Sequence, residues 1–171
     1  LSNFGLSFDE PEIDVKKIAK WKDGVVKKLT GGLGQLSKAR KVEFIQGKAF
    51  FKDEKTLEVE ENSGESYELE FENAIIATGS TPTELPNIEV DHKLIWNSKD
   101  ALDLKEIPKK LLVIGGGYIG LELGSVYANL GSEVSIAEMT SGFLPGADRD
   151  LVKVFEKEQP FKNLYFDTKV E

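Results

Sequence analysis

Three glycines and one acid hold most of the chemistry open to this 171-residue sequence. Gly115, Gly117 and Gly120 form a Gly-x-Gly-x-x-Gly array directly after the apolar run Leu111-Leu-Val-Ile114. A strand that enters a helix through such an array receives the pyrophosphate of a dinucleotide. Gly115 allows the tight turn, Gly117 lets the backbone approach the phosphates, and Gly120 lets the helix lie close on the strand. Gly116, Tyr118 and Ile119 complete the turn, and the helix start adds free N–H groups and a partial positive charge. Glu138 lies 18 residues beyond Gly120, at the end of the strand-like Glu133-Val-Ser-Ile-Ala137. An acid at that distance accepts hydrogen bonds from an adenosine ribose 2′-hydroxyl and repels a 2′-phosphate. No arginine occurs between Glu138 and Arg149, so NAD is favoured over NADP. The plainer alternative is a glycine-rich turn that binds nothing.

Other chemistries are poorly supplied. The sequence has no cysteine, which excludes a disulfide framework, a thiolate metal site and a thiol nucleophile within it. Its one histidine, His92, sits in the turn-like Glu89–Lys93 and cannot build a metal site alone. Thirty acids against 22 bases give a net charge of −8, with no basic stripe. That argues against nucleic acid and anionic membranes as partners. No apolar run approaches membrane-spanning length.

The surrounding elements must hold the turn. After it, Ile119, Leu123, Val126, Tyr127 and Leu130 have helical spacing, and Gly131 stands at the expected stop. Leu111 to Ile114 reads as a buried parallel strand. Gly142 to Ala147 reads as a loop, followed by a helix capped by Asp148, carrying Leu151, Val152 and Phe155 and ended by Pro160. Upstream, residues 12 to 40 have helical spacing through Trp21, Val25, Leu29 and Leu33, and the four glycines Gly24, Gly31, Gly32 and Gly34 imply either a break near Gly31 or close packing against something flat. From Val42 to Phe71 the period is two, which predicts an antiparallel meander turning at Asn62-Ser63-Gly64. Gly47 by itself reads as a strand terminator. Ala74-Ile-Ile-Ala77 reads as an apolar strand, and Ser98 as the cap of a short helix. The opening Leu1-Ser-Asn-Phe-Gly5 resembles no signal peptide, and Asn163–Val170 reads as a strand that stops at Glu171. Both ends are expected to belong to a longer chain.

Taken together, Ala77-Thr-Gly-Ser80 followed by Gly115-Gly-Gly-Tyr-Ile-Gly-Leu-Glu122 resembles the flavoprotein pyridine-nucleotide disulfide oxidoreductases. Leu29-Thr-Gly-Gly-Leu33, Asn73-Ala-Ile-Ile76, Ile95-Trp-Asn-Ser98 and Glu138-Met139 are most similar to the bacterial branch that reoxidises dihydrolipoyl groups. The resemblance implies an α/β fold made of Rossmann-like FAD- and NAD-binding domain pieces with a small antiparallel β-meander. Residues 1–80 would be the later part of the FAD-binding domain, 81–109 a connector, and 110–171 the first part of the NAD-binding domain. The implied cofactors are FAD and NAD.

The resemblance also implies roles for single residues. Gly115 through Gly120 match the NAD pyrophosphate turn, and Glu138 the ribose acid. Glu122 would project towards the flavin–nicotinamide junction, or else be a helix-start acid stabilised by the dipole. Tyr118 would cover the flavin, or pack as an aromatic between domains. Ala49 would give the small residue needed at the FAD adenine, and Thr78, Gly79 and Ser80 the strand end beside the flavin's phosphate and ribitol. The family's redox cysteines and catalytic histidine have no counterpart here, so no catalytic residue is expected in this sequence. The implied parent passes electrons from protein-bound dihydrolipoamide through a disulfide and FAD to NAD⁺. It would be a cytoplasmic homodimer serving the lipoyl domains of 2-oxoacid dehydrogenase complexes. Alternatives are another NAD(P)H-dependent flavoprotein (glutathione-reductase-like, transhydrogenase or NADH oxidase) and a stand-alone nucleotide-binding module.

Overall fold

The run before the glycine array forms a strand and the residues after it a helix, in a computed structural model that describes residues 11–171. The reading of Leu1–Gly5 falls outside the described residues. Strand β4 (Lys110–Ile114) leads into helix α3 (Tyr118–Asn129), then β5 (Glu133–Ala137), helix α4 (Arg149–Glu158) and β6 (Asn163–Tyr165). The three strands are parallel in the order β4-β5-β6, with Val113 opposite Ile136 and Ile136 opposite Leu164. Parallel pairing with intervening helices makes this an α/β architecture.

One face of that sheet is packed. Val134, Ile136, Tyr127 and Phe143 are each almost fully buried, with Leu121, Val152 and Phe161 beside them. Phe143 meets Phe155, Phe161 and Phe166 edge-on, with ring centroids 5.6, 6.2 and 4.9 Å apart. Complete burial of such a side chain is worth about 1.5–3 kcal/mol. Two expectations change here. β4 is not buried on both faces: Leu111 and Val113 are half-buried, whereas Leu112 and Ile114 are 53% and 43% exposed. The inward face of α3 is Leu121, Gly124 and Tyr127, while Ile119 and Val126 are exposed. Helical periodicity gives a stripe but not the direction of its centre, which the sheet decides.

The short helix α2 (Ser98–Asp103) is capped by Asn97, not Ser98. Asn97 accepts the amides of Lys99 and Asp100, and Asp100 accepts the Asn97 amide, a reciprocal capping box. The Tyr127 hydroxyl donates to the Ala101 carbonyl at 2.8 Å and ties α2 to α3. α4 begins as expected, with the Asp148 carboxylate accepting the Asp150 amide, but Leu151 is exposed and Val152 and Phe155 face the core. The strand pattern over Asn163–Val170 shortens to β6 because Asp167 takes a left-handed conformation (φ 50°), which ends the extended run.

The described chain divides into two units. One holds the described residues up to Lys22 together with Pro82–Glu171, and the other is Asp23–Thr81. Helix α1 (Val15–Ala39) starts in the first, where Val15 and Ile18 pack on the core, and ends in the second. It runs unbroken through Gly31, Gly32 and Gly34. Helix-terminal bonds then close it: Lys41 is left-handed (φ 56°), and the amides of Lys41 and Val42 return to the carbonyls of Lys38 and Ser37. That use of the Val42 amide explains why the first strand starts later than the alternation suggests. β1 is Gly47–Phe51, so Gly47 opens a strand instead of ending one. A Cβ there would fall 2.2 Å from the Glu60 carbonyl oxygen.

β1 pairs antiparallel with β2 (Thr56–Glu61), and β2 with β3 (Ser66–Glu70), the expected meander. Its second turn lies at Gly64, whose amide returns to the Glu61 carbonyl. Ala74–Ala77 forms no strand, and Ile75 is 93% exposed. An extended segment needs a ladder partner for its backbone groups, and none pairs with it among the described residues.

Candidate functional site

The glycine turn starts where β4 ends. The Gly115 amide donates to the Ala137 carbonyl at 2.8 Å, and Gly115 has φ 107°, a conformation that a side chain would strain. A Cβ on Gly120 would lie 2.4 Å from the Gly115 carbonyl oxygen and 3.0 Å from Val113 Cγ1, so this position sets how closely α3 lies on β4. The reverse holds at Gly117, where a Cβ would meet nothing within 4 Å.

Gly117 is the N-cap of α3 and offers no side-chain cap. The first intrahelical bond runs from the Leu121 amide to the Gly117 carbonyl at 3.0 Å. Among the described residues, no hydrogen bond uses the amides of Gly117, Tyr118, Ile119 or Gly120. These donors and the positive end of a three-turn helix face open space over Gly117, and that fits a diphosphate. Tyr118 and Ile119, 67% and 44% exposed, border the same opening.

Glu138 closes the turn from β5. It is only 9% exposed, and its carboxylate accepts the Gly116 amide at 2.5 Å. The other carboxylate oxygen takes the Thr140 amide and hydroxyl, both at 2.7 Å. Burial pushes the Glu138 pKa up, but these amide and hydroxyl donors outweigh it and hold the group below its ordinary 4.5. It is thus an anion at neutral pH. A carboxylate has about four lone-pair sites, so one is left to accept a further hydroxyl. Arg149 is not available to a 2′-phosphate at this edge: its Nη2 donates to the Phe143 carbonyl at 2.9 Å and also to that of Leu144. Thr140 and Leu144 went unnoticed in the sequence, and Arg149 was noted only as the first arginine after Glu138. An arginine opening a helix just after a glycine-containing loop was the only signal there to find.

Glu122 is exposed, with no hydrogen bond or ion pair among the described residues. Ala49 lies in β1 opposite Val59, while Thr78, Gly79 (φ 78°) and Ser80 are exposed and outside any strand in the same unit. Two hollows lie elsewhere. One of about 330 Å³ is lined by His92, Trp96, Asp100 and Lys105, and neither it nor a second by Phe71 includes a residue of the turn. The turn is an open rim, not a cavity. His92 Nδ1 stands 2.9 Å from the Asp100 carboxylate. No helix of the described residues is long and apolar enough to cross a membrane.

The chain belongs to the pyridine nucleotide-disulphide oxidoreductase family, whose sequence profile matches residues 6–170. Within it, the chain is 49% identical to the dihydrolipoyl dehydrogenase of Haemophilus influenzae over 168 residues, 97% of this chain and 35% of that protein. It is 48% identical to the dihydrolipoyl dehydrogenase of Bacillus subtilis over 150 residues, 87% of this chain and 31% of that protein. Among solved structures, LpdA from Mycobacterium tuberculosis matches 92% of the chain and 36% of its own with a TM-score of 0.81 at 23% identity, a likeness of fold. The HOCl-induced flavoprotein disulfide reductase RclA from Escherichia coli matches 91% of the chain and 36% of its own with a TM-score of 0.74 at 31% identity. The chain spans about a third of the length of these relatives.

Proposed function

We propose that this chain contributes the NAD-binding turn, and part of the FAD-binding surface, of a dihydrolipoyl dehydrogenase. The observation that bears the reading is the pair of features at one strand edge: unused amides from Gly117 to Gly120, and the Glu138 anion beside them. The amides bind the diphosphate, the open space over Gly117 admits it, and Glu138 takes the ribose hydroxyl and turns away a 2′-phosphate. Tyr118 and Glu122, on the first turn of α3, flank the path from the diphosphate to the nicotinamide. When bound, FAD and NAD supply the electron relay and the hydride acceptor. Ala49, Thr78, Gly79 and Ser80 are assigned to the FAD side, where small residues let the cofactor approach the backbone. In domain terms, residues 1–80 belong with FAD and 110–171 with NAD, joined by 81–109.

The activity belongs to the whole protein: oxidation of dihydrolipoamide on the lipoyl domains of 2-oxoacid dehydrogenase complexes, in the cytoplasm, by a homodimer. Its support is the run of relatives named dihydrolipoyl dehydrogenase at 44–49% identity. The full-length protein should reduce NAD⁺ with dihydrolipoamide and prefer NAD⁺ to NADP⁺. Absence of dihydrolipoamide-dependent reduction, with turnover of another disulfide, would replace this substrate. Exposed Tyr118 and the likeness to RclA favour such a second reading, a disulfide reductase with a different substrate.

A further inference from the structure

Arg149 is the first residue of α4, yet its side chain serves the preceding loop. Its Nε donates to the Ala147 carbonyl at 3.2 Å, and its Nη2 to the carbonyls of Phe143 and Leu144. The Leu144 carbonyl also accepts the Ala147 amide at 2.8 Å. These bonds hold Leu144 in a left-handed conformation (φ 48°) that a leucine does not adopt unaided. In that conformation the Leu144 amide donates to the Gly116 carbonyl at 3.0 Å. The Gly116 carbonyl and the Gly117 amide belong to one planar trans peptide, so their bonds point in opposite directions. Fixing the oxygen towards Leu144 therefore aims the Gly117 N–H outward, over the open space at the start of α3. The preceding peptide is fixed from the other side, because the Gly116 amide is bound by Glu138. Buried Phe143 lies close by, and a Cβ on Gly116 would fall 3.0 Å from its ring.

We propose that Arg149 is a positioning residue for the coenzyme diphosphate. Through the Leu144 amide it sets the plane of the Gly116–Gly117 peptide and hence the aim of the foremost phosphate-binding N–H. The inference rests on the reading that this turn seats NAD. Arg149 touches no part of the coenzyme. It acts by pre-organisation, which lowers the cost of binding without adding a contact.

The test uses the full-length protein with Arg149→Met and Arg149→Lys. Arg149→Met keeps most of the stem and removes the donors. It should raise the Kd and KM for NAD⁺ by about five- to tenfold while kcat stays within about twofold, the signature of lost binding pre-organisation. Arg149→Lys, with a single ammonium for the Phe143 and Leu144 carbonyls, should recover part of that loss. If Arg149→Met does not fold, Arg149→Gln replaces it and bears the same expectation. An unchanged KM, or a loss that Arg149→Lys does not relieve and that tracks the fall in melting temperature, overturns the proposal. Gly117→Ala separates the two readings. If it leaves NAD⁺ affinity intact, the turn is not the seat and the underlying reading fails. If it weakens NAD⁺ and Arg149→Met does not, only the role of Arg149 fails.

Discussion

The Glu138 carboxylate accepts the backbone N–H of Gly116 at 2.5 Å, across 22 positions of sequence. The side chain assigned to the coenzyme's ribose is therefore also the clip that closes the phosphate turn. Its other oxygen takes the Thr140 amide and hydroxyl, which secures the start of the loop leading to Phe143. On the proposed reading of Glu138, coenzyme choice and turn geometry are coupled through one group, so substitutions aimed at NADP would loosen the turn as well.

Glu138→Gln keeps the shape and puts an amide NH₂ where one of the two acceptors was. Either the Gly116 or the Thr140 N–H then faces a donor in a buried place. The expected loss is about 1–3 kcal/mol of stability, the usual cost of a buried unsatisfied group. A urea denaturation midpoint equal to that of the unaltered protein would count against this account of the clip.

The same group gives a pH dependence. The folded pKa lies below the ordinary 4.5, so the unfolded chain binds the proton more tightly. The contribution of Glu138 is then complete above about pH 5 and fades as pH falls from 4.5 through the folded value. The stability gap between the protein and Glu138→Gln should narrow across that window and stay flat from pH 6 to 8. A gap that widened in acid would reverse the sign of the argument.

Gly117 and Gly120 should respond differently to the same methyl group. Gly117→Ala meets no neighbour, so folding is retained while NAD⁺ affinity falls by about tenfold or more through obstruction of the phosphate approach. Gly120→Ala drives a Cβ to within 2.4 Å of the Gly115 carbonyl, and the helix must shift from the strand. That should cost about 1–3 kcal/mol in stability in addition to the affinity. Thermal unfolding and NAD⁺ titration of both variants would show whether the effects separate.

Tyr127→Phe leaves the ring in the core and removes the donor to the Ala101 carbonyl, the tie between α2 and α3. Its expected cost is about 1 kcal/mol. Amide hydrogen exchange should speed up first in α2, whose buried anchor is limited to Leu104 at its C-cap.

The turn, the acid after the second strand and the antiparallel meander were legible because each depends on local rules. Gly115 needs a positive φ, Gly120 has no room for a side chain, and alternation in β2 needs only one wet face. What failed were statements about direction and partnership. α1 passes through four glycines, each unfavourable in a helix interior, which shows how weakly single-residue costs bind a 25-residue helix. Ala74–Ala77 has the composition of a strand, but a strand exists only with a neighbour to hydrogen-bond.

By itself, then, the order of residues determined the family, the α/β character and the strand–glycine turn–helix order, since these follow from spacing and backbone allowance. Tertiary packing alone decided that Glu138 would bind Gly116 and that Leu144, turned left-handed, would hold the next peptide through the Gly116 carbonyl. Those contacts join positions far apart along the chain. Their geometry comes from the sheet and the phenylalanine cluster around Phe143, which no run of neighbouring residues encodes.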